Sequence, residues 1–100
     1  MLDLSQITGF DWDDGNRFNS VHKHSVTQNE AEQTFADVRL LVAEDAIHSQ
    51  HEARFHAIGR TSDGRLLHVT FTLRGTGTKI RVISARDANR KERAQYGQEA

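Results

Sequence analysis

Along the chain the spacing of apolar residues changes period twice. Phe10-Asp11-Trp12-Asp13 alternates apolar and acidic positions, which predicts a short half-buried strand with Phe10 and Trp12 on one face. Asp13 then caps a helix running to about Lys23, with Phe18 and Val21 three residues apart as its narrow inward stripe. A second helix begins at Thr27, because Thr27 and Glu30 have the spacing of a capping box and Ala31 and Phe35 follow four apart. It ends near Asp37. From there the helical rhythm stops. Residues 38–43 form an apolar run broken only by Arg39, as a buried strand would, and residues 44–50 read as a polar loop. Three more strands are predicted at residues 52–60, 66–74 and 79–84, joined by Ser62-Asp63-Gly64 and Gly75-Thr76-Gly77. Links this short make antiparallel neighbours. Asn89 and Glu92, again at capping-box spacing, open a last helix with Ala94 and Tyr96 as its limited apolar contacts.

A period of two assigns sides to the sheet. Phe55, Ala57, Leu67, Val69, Phe71, Leu73, Ile80 and Val82 share one face, which the helices must cover. The opposite face collects Arg54, His56, Arg60, His68, Thr70, Thr72, Lys79 and Arg81, with no carboxylate inward of Glu52. Antiparallel sheets routinely leave one polar face in water. The single sign of charge speaks for a second reading, since like charges repel unless an anion relieves them.

Composition sharpens this picture. One hundred residues is close to the modal size of one domain, so residues 1–100 are expected to form a single α+β unit. The net charge of −1 hides an asymmetry. Residues 1–51 carry three Lys/Arg against nine Asp/Glu, whereas residues 52–100 carry ten against five. The basic half suits phosphate through arginine's planar fork of donors, or it simply neutralises the acidic half across their contact. No cysteine is present, which excludes disulfides, thiolate metal sites and thiol nucleophiles. No apolar run approaches a bilayer span, and the opening residues lack the pattern of a signal peptide, so a cytoplasmic protein with no membrane contact is expected.

The motifs themselves resemble a known family. Phe10-Asp11-Trp12-Asp13, Gly15-Asn16-Arg17, Lys23-His24 with Val26, Glu30-Ala31 and Phe35 are similar to the amino-terminal signature of the BrnT toxins. Glu52-Ala53-Arg54-Phe55, Ile58-Gly59-Arg60-Thr61, Asp63-Gly64-Arg65-Leu66-Leu67 and Arg81-Val82-Ile83-Ser84-Ala85-Arg86, with Arg90, Glu92, Arg93 and Tyr96, extend the likeness in order and spacing. The resemblance implies a RelE-like fold with a short amino-terminal strand, two helices, an antiparallel sheet and a carboxy-terminal helix. It further implies a ribonuclease toxin that inhibits growth, neutralised by a BrnA-like ribbon-helix-helix antitoxin, with DNA reached only through that antitoxin. The chain departs from the pattern at Phe18, Asn19 and Ser20, and at Ser25, where a glycine is usual. Serine tolerates positive φ poorly, so a different turn is expected there.

Metal-free RNA cleavage needs a base, cations for the charge growing on phosphorus, and an acid. Arg54, Arg60 and Arg81 are the candidate cations. His24, with Lys23 beside it, and Glu52 are the candidates for base and acid. A helix-terminal hydrogen bond for His24 and a salt bridge for Glu52 are the structural alternatives. His56, His68, Lys79, Ser84, Arg86 and Arg90 complete the expected RNA-binding surface. His22-x-His24 and His48-x-x-His51 pair imidazoles without a diagnostic spacing, so no metal or cofactor is expected. The competing function is a non-catalytic RNA- or partner-binding module, that is, a degenerate toxin.

Overall fold

In the computed structural model, residues 3–98 are described, apart from the side chains of His22 and Gln98. A 3-10 turn at Leu4–Gln6 leads into β1 (Gly9–Phe10), followed by α1 (Asn19–His24) and α2 (Gln28–Thr34). The chain then runs through β2 (Leu41–Glu44), β3 (Phe55–Arg60), β4 (Leu66–Arg74) and β5 (Lys79–Asp87), and ends in α3 (Arg90–Gln98). The sheet order is β1-β5-β4-β3-β2, antiparallel throughout except for β1, which lies parallel to β5.

Both capping boxes form. Glu30 N–H donates to Thr27 Oγ1 at 3.1 Å and Thr27 N–H to Glu30 Oε1 at 3.0 Å, while Asn89 and Glu92 exchange the same two bonds at 2.9 Å. The first helix is shorter than expected. Residues 14–18 form turns, and helix begins only at Asn19. Ser25 follows in the left-handed region (φ 57°, ψ 36°), a conformation that serine tolerates poorly and nonetheless adopts here. Its Cβ makes that conformation costly by about 1–2 kcal/mol.

The apolar face is covered as the alternation requires. Phe55, Ala57, Leu67, Val69, Phe71, Ile80, Val82 and Ala85 are buried beneath Val26, Ala31 and Phe35, and Phe35 meets Phe71 edge-on at 5.0 Å. Not every helix lies on that side. Tyr96 of α3 and Ala88 pack with Ile58 and Leu66, whose register puts them on the opposite, polar face. The strand expected at residues 38–43 is displaced toward the carboxyl end, and Val38 is 98% exposed. Asp37 is the cause. Its carboxylate accepts from Arg39 N–H, Arg60 N–H and Tyr96 O–H, and its carbonyl accepts from Leu40 N–H, bending residues 37–40 into a turn.

The outer edge of β5 is finished in an unusual way. β1 covers only Lys79 and Ile80; beyond it side chains substitute for a strand. Asn16 Nδ2 donates to Val82 O at 2.9 Å, Asn19 Nδ2 to Ile83 O at 3.0 Å, and Ser20 Oγ accepts from Ala85 N–H at 2.6 Å. Asn19 and Ser20 thus satisfy the exposed ladder together with Asn16.

Candidate nucleic-acid interface

A register shift between Thr70 and Phe71 places one extra residue, Ile83, in β5. Simple alternation would put Ser84 and Arg86 on the core side with Ile80 and Val82. The bulge reverses their parity, so Ser84 pairs with Thr70, Arg86 pairs with His68, and both share the polar face with Arg81. Three strands therefore deliver His56, Thr70 and Ser84 in one row and His68 and Arg86 in the next. α3 closes one end of this face, leaving an open cleft of about 640 Å³ lined by Leu41, Ala43, His56, Ile58, His68, Glu92 and Gln95.

The imidazoles of His56 and His68 lie 4.8 Å apart at the base of the cleft. His56 Nε2 is 2.8 Å from Asp45 Oδ2, and its Nδ1 is 3.1 Å from Thr70 Oγ1. His68 Nε2 is 3.6 Å from Glu92 Oε2, and Arg86 holds that same carboxylate through two bonds of 2.8 and 2.9 Å. Burial pushes His68 below its ordinary value of 6.5, outweighing the pull of Glu92. Burial alone would raise Glu92. Hydrogen bonds from Arg86 and Asn89, with the His68 ring nearby, instead hold it at about 2. Asp45 is likewise held at about 2, against the rise that burial imposes, by hydrogen bonds from His48 and His56.

The face is not the unrelieved positive surface that alternation predicts. Carboxylates reach it from other elements: Asp13 and Asp11 grip Arg81, Glu92 grips Arg86, and Asp45 meets His56. Asp11, Asp13 and Asp45 come from the acidic half, so part of the charge asymmetry is spent on internal neutralisation. The missed signal was partly visible, since Asp13 precedes a glycine turn and Glu92 is a capping residue, but their second partners lie 68 and 6 residues away in sequence.

The other expected site residues are dispersed. Arg54 lies just before β3 beside a smaller cavity lined by Ile47, His48, Gln50, His51 and Glu52. Arg60, at the far end of β3, donates to Gly64 O and stacks over the Tyr96 ring. Glu52 pairs with Arg74, the structural alternative raised for it. Lys79 lies against Gly9, and Arg90 is exposed at the start of α3. Lys23 and His24 end α1, where no contact among the described residues joins their side chains to the polar face. The His24 carbonyl instead accepts from Arg65, whose guanidinium also binds Ser25 O, Glu30 and both oxygens of Asp87. Arg65 is thus a structural hub joining α1, α2 and β5. Among the described residues no group of three His, Asp or Glu side chains is arranged to hold a metal ion, and no helix is long and apolar enough to cross a membrane.

These shifts set the acid response. A depressed His68 makes the unfolded chain the better proton acceptor, so its contribution is complete above about pH 6.5 and declines as the pH falls below. Asp45 and Glu92 contribute above the ordinary carboxyl range and are lost as the pH falls toward about 2. Urea midpoints at about pH 7.5, 5.5 and 3.5 should therefore fall stepwise, and His68→Gln should flatten the first step. An unchanged midpoint between the first two would contradict the assignment to His68.

The fold and the site define a small α+β domain with imidazole and guanidinium groups gathered on one open sheet face. A family model described as the ribonuclease toxin BrnT of type II toxin–antitoxin systems matches residues 12–92. The chain belongs to the BrnT family. Its fold is similar to that in the 1.1 Å crystal structure of the Brucella abortus ribonuclease toxin BrnT, with a TM-score of 0.62 and 22% identity. That match covers 83% of this chain and 99% of the other. No curated protein matches the sequence.

Proposed function

We propose that this chain is a metal-independent endoribonuclease whose cleavage of RNA inhibits growth, with His56 as the base. The observation that carries this reading is the His56 ring. The ionised Asp45 can only accept a hydrogen bond, so the Nε2 facing it bears a proton. In the neutral ring Nδ1 is then the lone pair, in reach of a hydroxyl at Thr70's position. An RNA 2′-hydroxyl that displaces the Thr70 hydroxyl from Nδ1 delivers its proton there as its oxygen attacks the adjacent phosphorus; the bond from phosphorus to the 5′-oxygen breaks, leaving a 2′,3′-cyclic phosphate, and the departing 5′-oxygen takes a proton from water. Arg54, Arg81 and Arg86 stabilise the charge that develops, with Lys79, Ser84 and Arg90 extending the contact to neighbouring phosphates. His68, whose protonation burial disfavours, lies 4.8 Å away and adds less positive charge against the protonated His56. Arg60 serves the same surface at its far end, while Lys23, His24 and Glu52 act in the fold or outside the reacting centre.

The cytoplasm is the site of action, and the neutralising partner is a BrnA-like ribbon-helix-helix antitoxin, through which alone the toxin meets DNA. Purified protein incubated with RNA in excess EDTA tests the reading. Cleavage should persist, and Arg54→Ala combined with Arg81→Ala should lower it by roughly 10²-fold or more with the fold intact. RNA that is bound with a steep salt dependence but left intact would instead identify a binding module.

A further inference from the structure

Asp45 holds more than the His56 ring. It directly follows β2, and its side chain is 11% exposed. One carboxylate oxygen, Oδ2, lies 2.8 Å from both His56 Nε2 and His48 Nδ1, while Oδ1 accepts from His48 N–H at 3.1 Å. Its backbone N–H donates to Arg54 O at 2.8 Å. Its carbonyl accepts from Ser49 Oγ, which in turn accepts from Arg54 N–H at 2.9 Å. A single residue thus closes the loop of residues 45–54 upon itself and fastens it to an imidazole in the cleft.

Closing a loop does not require this arrangement. The backbone bonds and Ser49 join the ends of the segment, and the exposed His48 ring satisfies one carboxylate oxygen unaided. Bringing the same oxygen onto His56 costs further desolvation and is offset by a charge-assisted hydrogen bond. The chemical consequence is a choice of tautomer. With Nε2–H donated to Asp45, the His56 lone pair faces Thr70; without Asp45 the proton is free to sit on either nitrogen.

We propose that Asp45 is the positioning residue of the site: it holds His56 as the Nε2–H tautomer with Nδ1 toward the reacting hydroxyl, and sets the Arg54 segment against that ring. This rests on His56 being the base. The tautomer can nonetheless be read without any cleavage assay.

The test uses the full chain labelled with ¹⁵N, comparing imidazole nitrogen spectra of wild type, Asp45→Asn, Asp45→Ala and His48→Ala, with thermal melts of the same samples. Wild type and His48→Ala should show His56 as the Nε2–H form. Both Asp45 variants should move His56 toward the Nδ1–H form and lower kcat by roughly 10²-fold, with KM changed far less. Asp45→Asn preserves the size and the backbone bonds of the loop, so it reports on the tautomer even if the alanine variant does not fold. Persistence of the Nε2–H form in the folded Asp45 variants overturns the proposal and leaves Asp45 a loop-closing residue. A His56→Gln variant that cleaves normally would instead defeat the functional reading, a separate outcome from the spectra.

Discussion

Replacing His56 with glutamine is expected to lower RNA cleavage by roughly 10²–10⁴-fold while the protein stays folded. Glutamine is close in size and its amide can satisfy both Asp45 and Thr70, so the polar row on β3 and β4 keeps its hydrogen bonds. What it lacks is a ring nitrogen whose lone pair can take up a proton and give it back. The side chain of His56 is only partly buried, so stability should change by less than about 1 kcal/mol, chiefly through its contact with the His68 ring. Single-turnover cleavage of a defined RNA, alongside a denaturation curve, separates the two effects. Wild-type rates in the variant would move the base elsewhere, with His68 the next residue to replace.

The largest effect on the fold should come from a single methyl group. Gly59 lies in β3 opposite Leu67, beneath the end of α2. A Cβ built there would stand 2.7 Å from Thr34 Cγ2, 2.8 Å from Thr34 O and 2.9 Å from Leu40 Cδ1. The leucine can rotate, but the carbonyl belongs to the backbone of α2 and moves only with the helix. Gly59→Ala should therefore destabilise the protein by about 3 kcal/mol, by forcing α2 off the sheet. For a chain of this size that is a fall in Tm of at least roughly 12 °C. A melting temperature within a few degrees of wild type would mean that the helix–sheet spacing is softer than these contacts indicate.

Much of the architecture was legible because it is encoded locally. The Thr27/Glu30 and Asn89/Glu92 boxes are decided within four residues, and β4 spans residues 66–74 as the alternation of Leu67, Val69, Phe71 and Leu73 requires. What alternation could not reveal was the extra residue at Ile83, which carries no signal in its own side chain yet decides which way Ser84 and Arg86 point. Long-range pairing hid the rest. The polar face looked uniformly basic because its carboxylates arrive from Asp13, Asp45 and Glu92 on other elements. Likewise Tyr96 revealed that the last helix had an apolar side, but not that Ile58 and Leu66 would make a second, smaller core for it. The candidate site was legible as a set of residue types on a sheet face; the coupling of His56 to Asp45 needed the three-dimensional path of the loop.

The way β5 ends its sheet bears on how the molecule behaves in a crowd. A bare strand edge is a template, inviting any extended chain to copy its hydrogen bonds. Along the stretch left open by β1, Asn16, Asn19 and Ser20 occupy those bonds with side chains that have no backbone direction to propagate. Nothing can be added to that margin in register without first evicting them. Asn16, Asn19 and Ser20 thus act there as a stopper against sheet-to-sheet polymerisation.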